Sequence, residues 1–184
     1  MALSVEIPNR SRYFIDTEFD EDGKEIRLLS IGVTDDNGRD FYAVNKDADH
    51  NRCNDWVKQN VIPHLGVSFP SPHLPDAKAH TKEQIAKGLF SFIETRFWAD
   101  GKQPVFYGYY ADYDWVVLCQ LYGRMVDLPN LFPHLCLDLK QIAVMMGVQK
   151  SQYPKQGTIE HNALNDAKWN RDLYNHLLML SRQP

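Results

Sequence analysis

The chain predicts an α/β domain built on a mixed sheet, and three observations carry that expectation. Strand-like segments cluster at the front around a hairpin signal, later strands alternate with helices, and 184 residues suffice for one full hydrophobic core. Residues 12–19 read as the first strand, ending in a turn at Asp20-Glu21-Asp22-Gly23. Residues 26–34 (IRLLSIGVT) form a nearly continuous apolar run suited to a central strand. Asp36-Asn37-Gly38 is a strong hairpin signal, which makes residues 39–44 the return strand. Asn54 is placed to cap a short helix to Asn60, and Pro63, Pro70, Pro72 and Pro75 punctuate an irregular connection after it. Thr81-x-x-Gln84 has the form of a capping box. It opens a helix to about Trp98 whose stripe is Ile85, Leu89, Phe92, Ile93 and Phe97.

Residues 103–110 (QPVFYGYY) favour extended structure, and an apolar helix is expected over 115–121, ending near Gly123. Another helix spans 138–146 and stops at Gly147, before a polar loop over 150–157 that carries Lys150 and Lys155. Asn162 is positioned to cap a last helix from 163 to about 180, with Leu173, Leu177 and Leu180 on one side. No internal repeat or low-complexity segment interrupts this order, so one domain over 1–184 is expected.

Composition narrows the possible functions. A hydrophobic fraction of 43% with 12% aromatic residues belongs to a globular protein and not to a disordered one. There is no run of about 18 apolar residues, so no membrane span is predicted. Residues 1–10 lack the basic-then-apolar pattern of a signal peptide. Cys53, Cys119 and Cys136 are odd in number and form no Cys-x-x-Cys pair, which fits a reducing cytoplasm and argues against structural zinc. The net charge of −4 gives no footprint for nucleic acid by itself. That objection weakens where acids hold metal, because a bound cation reverses the local sign.

Chemistry enters with Asp16-Thr17-Glu18. Side chains alternate along a strand, so Asp16 and Glu18 emerge on one face. Burying two carboxylates side by side costs several kcal/mol, about the penalty that a cation between them would offset. Hard oxygen ligands of this kind suit Mg²⁺ or Mn²⁺. The bland alternative for an isolated Asp-x-Glu is a strand end whose acids face water. The far end of the chain weighs against it. There, His161-Asn162-Ala163-Leu164-Asn165-Asp166-Ala167 opens the last helix. Each helical residue turns by roughly 100°, so positions five apart differ by roughly 140° and do not share a face. His161 is therefore expected on the loop before the helix, free to swing toward a substrate, and Asp166 rigidly within it, a division that suits a mobile proton acceptor and a fixed metal ligand.

Asp16-Thr17-Glu18, an aspartate after the 103–110 strand, and His161 five residues before Asp166 together resemble the DEDDh class of 3′–5′ exonucleases. Each piece is weak alone; their joint occurrence in order over nearly the whole chain is specific. The short length and Tyr113-Asp114-Trp115-Val116-Val117-Leu118-Cys119 look like the single-domain, polyadenylate-preferring exoribonucleases of mycobacterial and phage type. That resemblance implies a ribonuclease-H-like fold, a central five-stranded mixed sheet flanked by helices. Both Asp112 and Asp114 follow the strand. Tyr113 before it and Val117 and Leu118 after it match the family pattern at Asp114, whereas Asp112 follows Ala111 and has helix capping as its ordinary use. The family's commoner His-Asn is replaced by Tyr109-Tyr110, so the substrate contact of that Asn is not carried over.

The resemblance further implies two divalent ions. Asp16, Glu18 and Asp166 would hold the one that binds the attacking water, and Asp16 with Asp114 the one near the leaving 3′ oxygen. His161 would take the water's proton, and nucleoside 5′-monophosphates would leave the 3′ end of single-stranded nucleic acid, RNA by analogy. Thr17 and Phe19 flank the acids, point to the opposite face of a regular strand, and are candidates to touch the terminal nucleotide, with a place in the core as the equal alternative for Phe19. Arg12, Lys150, Lys155, Lys168 and Arg171 are candidates for phosphate, although scattered basic residues are ordinarily solvated surface. A homodimer is also implied. A DNA-preferring exonuclease of the same fold, a ribonuclease-H-type endonuclease that does not need His161, and a non-catalytic nucleic-acid-binding module are the competing readings.

Overall fold

A computed structural model describes residues 5–66 and 78–183. Its sheet is mixed and six-stranded, in the order β4-β3-β2-β1-β5-β6. Strands β1 (Arg10–Glu21), β2 (Ile26–Asp35) and β3 (Asp40–Asn45) form an antiparallel meander. The predicted hairpin closes it, with the Gly38 N–H donating to the Asp35 carbonyl at 3.0 Å and Gly38 at φ 80°. Strands β4 (Ala79–His80), β5 (Gln103–Gly108) and β6 (Leu137–Asp138) pair in parallel with β3, β1 and β5 respectively. The five-stranded count is thus corrected to six. Both outermost strands are two residues long, too short to show alternation in a sequence.

Five α-helices lie among the described residues: α1 (Asp55–Asn60), α2 (Lys82–Asp100), α3 (Asp112–Gln120), α4 (Leu139–Met145) and α5 (Ala163–Ser181). The predicted caps are in place. Asn54 accepts from the Val57 N–H, Thr81 and Gln84 form a capping box, and Asn162 accepts from the Asn165 N–H. Of the proline-punctuated connection, Pro63 falls in a single 3-10 turn at Ile62–His64, while Pro70, Pro72 and Pro75 lie outside the described residues.

Alternation along β1 divides the core in two. Tyr13 and Ile15 pack with Ile85, Leu89 and Ile93 of α2 and with Trp115 and Leu118 of α3. Phe14 faces the other way, against Leu139 of α4 and Leu173, Tyr174 and Leu177 of α5. A third cluster, Leu29, Val44, Val57, Val61 and Leu65, seats α1 beside the meander. The α2 stripe includes an unforeseen member: Arg96 is buried and pairs with Asp35, Asp36 and Asp100, tying α2 to the β2–β3 hairpin.

The parallel ladder between β1 and β5 ends at Phe14↔Tyr107. Beyond it the two strands separate, and the backbone groups of β1 on that edge need other partners. The Ile15 carbonyl accepts from Asn170 Nδ2 of α5 at 2.8 Å, and the Thr17 N–H donates to Asp114 Oδ1 of α3 at 2.8 Å. Two helices are thereby fastened to the middle of β1.

Candidate active site

Asp16 and Glu18 leave β1 on the α5 face, opposite Gly32 and Ser30 of β2. Gly32 lets α5 come close. A Cβ there would lie 2.2 Å from the Ala163 carbonyl oxygen and 2.3 Å from the Leu164 nitrogen, closer than any real contact. The first turn of α5 therefore crosses β2 directly beside Asp16, and Asp166 is carried in by that turn. Asp16, Glu18 and Asp166 each offer a carboxylate oxygen, and the three atoms lie within 4.8 Å of one another. Residues 150 positions apart in the chain thus meet.

Asp114 arrives from the opposite side, in the first turn of α3, and is buried. Its Oδ1 accepts both from the Thr17 N–H and, at 2.6 Å, from the Thr17 hydroxyl. Asp112 is exposed at the start of α3, where Ala111 and not Asp112 occupies the cap position. Of the two aspartates, Asp114 is the one held against β1. Asp138 orders the approach to α3: it accepts from the Ala111 N–H at 2.8 Å and caps α4 through the Gln141 N–H at 2.8 Å.

His161 lies just ahead of α5 with φ at 62°, a left-handed conformation that few residues other than glycine adopt. Its backbone N–H donates to Asp166 Oδ2 at 3.0 Å, and Gln156 donates to Oδ1 of the same carboxylate. The His161 ring meets Trp56 of α1 edge to face, with centroids 5.0 Å apart. A cleft of about 580 Å³ opens beside these residues, lined among others by Asp16, His161, Asp166, Tyr109, Lys150 and Lys155.

Electrostatics marks the cluster as unfinished. Burial raises Asp16 well above the usual carboxylate range, and Asp114, Glu18 and Asp166 push it further by repulsion. Burial, then repulsion from Asp166 and Asp114, carries Glu18 up to about 8. Asp114 is raised to about 7 by burial, with the two Thr17 hydrogen bonds working against the shift. Asp166 is raised by burial and partly relieved by Gln156 and the His161 N–H. Acids so placed carry full charge together only with a counter-charge between them, and otherwise take up protons. An all-oxygen donor set of three carboxylates fits a hard divalent cation.

Phe19 is half-buried, its ring stacked on Tyr113 at 5.7 Å, and Thr17 is buried with both of its polar groups on Asp114. Of the candidate phosphate contacts, Arg12 pairs with Glu6 and Asp36, Lys168 with Asp40, and Arg171 reaches the Thr34 hydroxyl. Lys150 and Lys155 line the cleft. Gly32, Gln156 and Trp56 escape sequence reasoning. Gly32 and Trp56 matter through neighbours far away in the chain and Gln156 through Asp166 ten residues on, and only the glycine within a strand carries any signal, that of a close backbone approach.

Residues 11–178 match the domain family described as Rv2179c-like 3′–5′ exoribonuclease. Two Mycobacterium tuberculosis proteins, 3′–5′ exoribonuclease Rv2179c of strain H37Rv and 3′–5′ exoribonuclease MT2234.1 of strain CDC 1551, are each 36% identical over 158 residues. The match covers 85% of this chain and 87% of each relative. A solved structure of 3′-end-specific recognition of histone mRNA stem-loop by a 3′-exonuclease superposes with a TM-score of 0.64 at 12% identity. It covers 97% of this chain and 67% of that one. That likeness concerns the fold, which is ribonuclease-H-like. With a match over most of its length and this identity to the mycobacterial proteins, the chain belongs to the Rv2179c-like 3′–5′ exoribonuclease family.

Proposed function

We propose that residues 1–184 form one exonuclease domain that shortens RNA from its 3′ end, releasing nucleoside 5′-monophosphates with the help of two Mg²⁺ or Mn²⁺ ions. Adenylate-rich single-stranded ends are the proposed substrate, on the resemblance of Tyr113 to Cys119 to the single-domain, polyadenylate-preferring exoribonucleases. The observation that carries the reading is the approach of Asp16, Glu18 and Asp166 to within 4.8 Å. Those three would hold one ion, and Asp16 with Asp114 the other; Asp114 Oδ1 is anchored by Thr17, which leaves Oδ2 to ligate. Two such ions, when bound, supply charge stabilisation to the entering and departing oxygens of an in-line displacement.

The protein's own groups do the rest. Water attacks the phosphorus of the last phosphodiester, the bond to the 3′ oxygen breaks, His161 accepts the water's proton, and the departing oxygen takes a proton from solvent to become the 3′ hydroxyl of the shortened chain. An imidazole suits that task because a ring nitrogen without a proton carries a lone pair that can accept one. Lys150 and Lys155 at the cleft would meet the phosphates, and Phe19, stacked on Tyr113, would lie near the terminal nucleotide. Thr17 serves that end of the site by holding Asp114.

Three free thiols support a cytoplasmic setting, and no helix among the described residues is long and apolar enough to cross a membrane. A homodimer belongs to the same proposal; exposed Val116, Met125 and Val126 offer apolar surface for it.

Matched RNA and DNA oligonucleotides labelled at the 5′ end test the reading. A ladder shortening from the 3′ end of RNA is expected with Mn²⁺, and Asp16→Ala and His161→Ala should each abolish most of it without unfolding the domain. Internal cuts, or faster loss of DNA, would overturn the exoribonuclease assignment.

A further inference from the structure

We infer that Trp56 is a positioning residue for His161: α1 is fastened beside the site so that this one ring walls the imidazole into the cleft. The inference rests on His161 being the proton acceptor proposed above.

His161 is held at two points. Its backbone N–H is bound to Asp166 Oδ2, which fixes the Cα beside the carboxylates but leaves the side-chain torsions free. The ring is then met edge to face by Trp56, with centroids 5.0 Å apart and planes at 83°. That is a favoured arrangement for aromatic pairs. Trp56 is itself 55% exposed, so its ring is not placed there to fill the core.

The segment carrying Trp56 is pinned on both sides of the histidine. At one end, the Asn54 N–H donates to Asp20 Oδ1 at 3.2 Å. Asp20 is 2% exposed and salt-bridged to Arg27, a buried acid at the end of the strand that carries Asp16 and Glu18. At the other end, Asn162 Nδ2 donates to the His64 carbonyl at 2.8 Å, joining the turn after α1 to the residue that follows His161. A small solvated helix anchored to β1 and to the start of α5 therefore presents its exposed tryptophan to a single imidazole. A proton acceptor works only when its nitrogen lies within hydrogen-bond reach of the water it deprotonates, so restricting the ring to one orientation acts on the rate and not on substrate affinity.

Single-turnover hydrolysis of a 5′-labelled adenylate oligonucleotide by the full chain in Mn²⁺ tests this, with RNA affinity measured separately in Ca²⁺. Trp56→Ala should slow the chemical step by about fivefold to tenfold with unchanged RNA affinity and melting temperature. Trp56→Phe, which keeps a ring, should recover most of the rate. Trp98→Ala, which removes another exposed tryptophan far along α2, should change nothing. An unchanged rate in Trp56→Ala overturns the inference, and so does weakened RNA binding at an unchanged rate, which would make the tryptophan a substrate contact. His161→Ala run alongside separates the two claims: if it stays active, the proton-acceptor role falls and this inference with it. If it is inactive while Trp56→Ala is not, only this inference falls.

Discussion

Gly32 shows how one missing methyl group sets the geometry of the site. Nothing larger fits between β2 and the Ala163 carbonyl, and Asp166 follows three residues later on the same turn. Gly32→Ala should push the start of α5 outward, costing about 1–3 kcal/mol. The same shift should weaken Mn²⁺ binding, read by titration calorimetry; wild-type affinity in a folded variant would mean that Asp166 does not depend on this contact. Thr17 acts at the same scale on the other acid. Thr17→Val keeps the N–H bond to Asp114 but removes the hydroxyl bond at 2.6 Å, so a loss of about 1–3 kcal/mol is expected in urea unfolding. Hydrolysis should fall with it. Asp16 and Glu18 are legible in the sequence because a period of two needs only the strand to be recognised. The partner that lets Asp166 reach them is not, because a glycine in an apolar run carries no record of what passes over it.

At the scale of elements, the strands and helices that dominate the fold announce themselves through alternation, caps and the Asp36-Asn37-Gly38 turn, whereas their ends do not. Helix α3 begins at Asp112, three residues before the apolar run that signals it, because the Trp115 N–H already bonds the Ala111 carbonyl at 2.9 Å. Aspartates in a first turn complement the helix dipole, yet in a sequence Asp112-Tyr113-Asp114 reads as loop. The separation of β1 from β5 after Phe14 is likewise invisible, although it frees the backbone groups that fasten α3 and α5. Asn170 is the test of that fastening. It is buried, and Asn170→Ala strands the Ile15 carbonyl without its donor, which should cost about 1–3 kcal/mol. Amide exchange over residues 163–170 should quicken while that in α2 does not. Uniform quickening would show that α5 is held by its apolar face alone.

For the whole molecule, the formal charge of −4 hides the most telling feature, the concentration of acid at one point. A sequence shows which residues are acidic but not that Asp16, Glu18 and Asp166 bring carboxylate oxygens within 4.8 Å of one another, with Asp114 near enough to repel Asp16 and Glu18, and so it gives no sign of the resulting strain. The strain has a direction. In the unfolded chain these carboxylates titrate near pH 4, while in the folded protein Asp114 and Glu18 are lifted to about 7 and about 8, and Asp16 higher than its usual range. Because the folded values are raised, the folded state binds more protons between the two limits. Stability is then fully present below about pH 4 and declines as pH rises through the folded values. Metal-free protein in EDTA should therefore melt at a lower temperature at pH 8 than at pH 6. Asp16→Asn, which deletes one of the repelling charges, should flatten that slope and raise the pH 8 melting temperature. A divalent cation bound only by the folded protein opposes the loss, so Mn²⁺ should stabilise the wild type more at pH 8 than at pH 6 and scarcely affect Asp16→Asn. If the melting temperature in EDTA rose from pH 6 to pH 8, equally in wild type and variant, the four acids would not be under the mutual repulsion that makes a cation necessary.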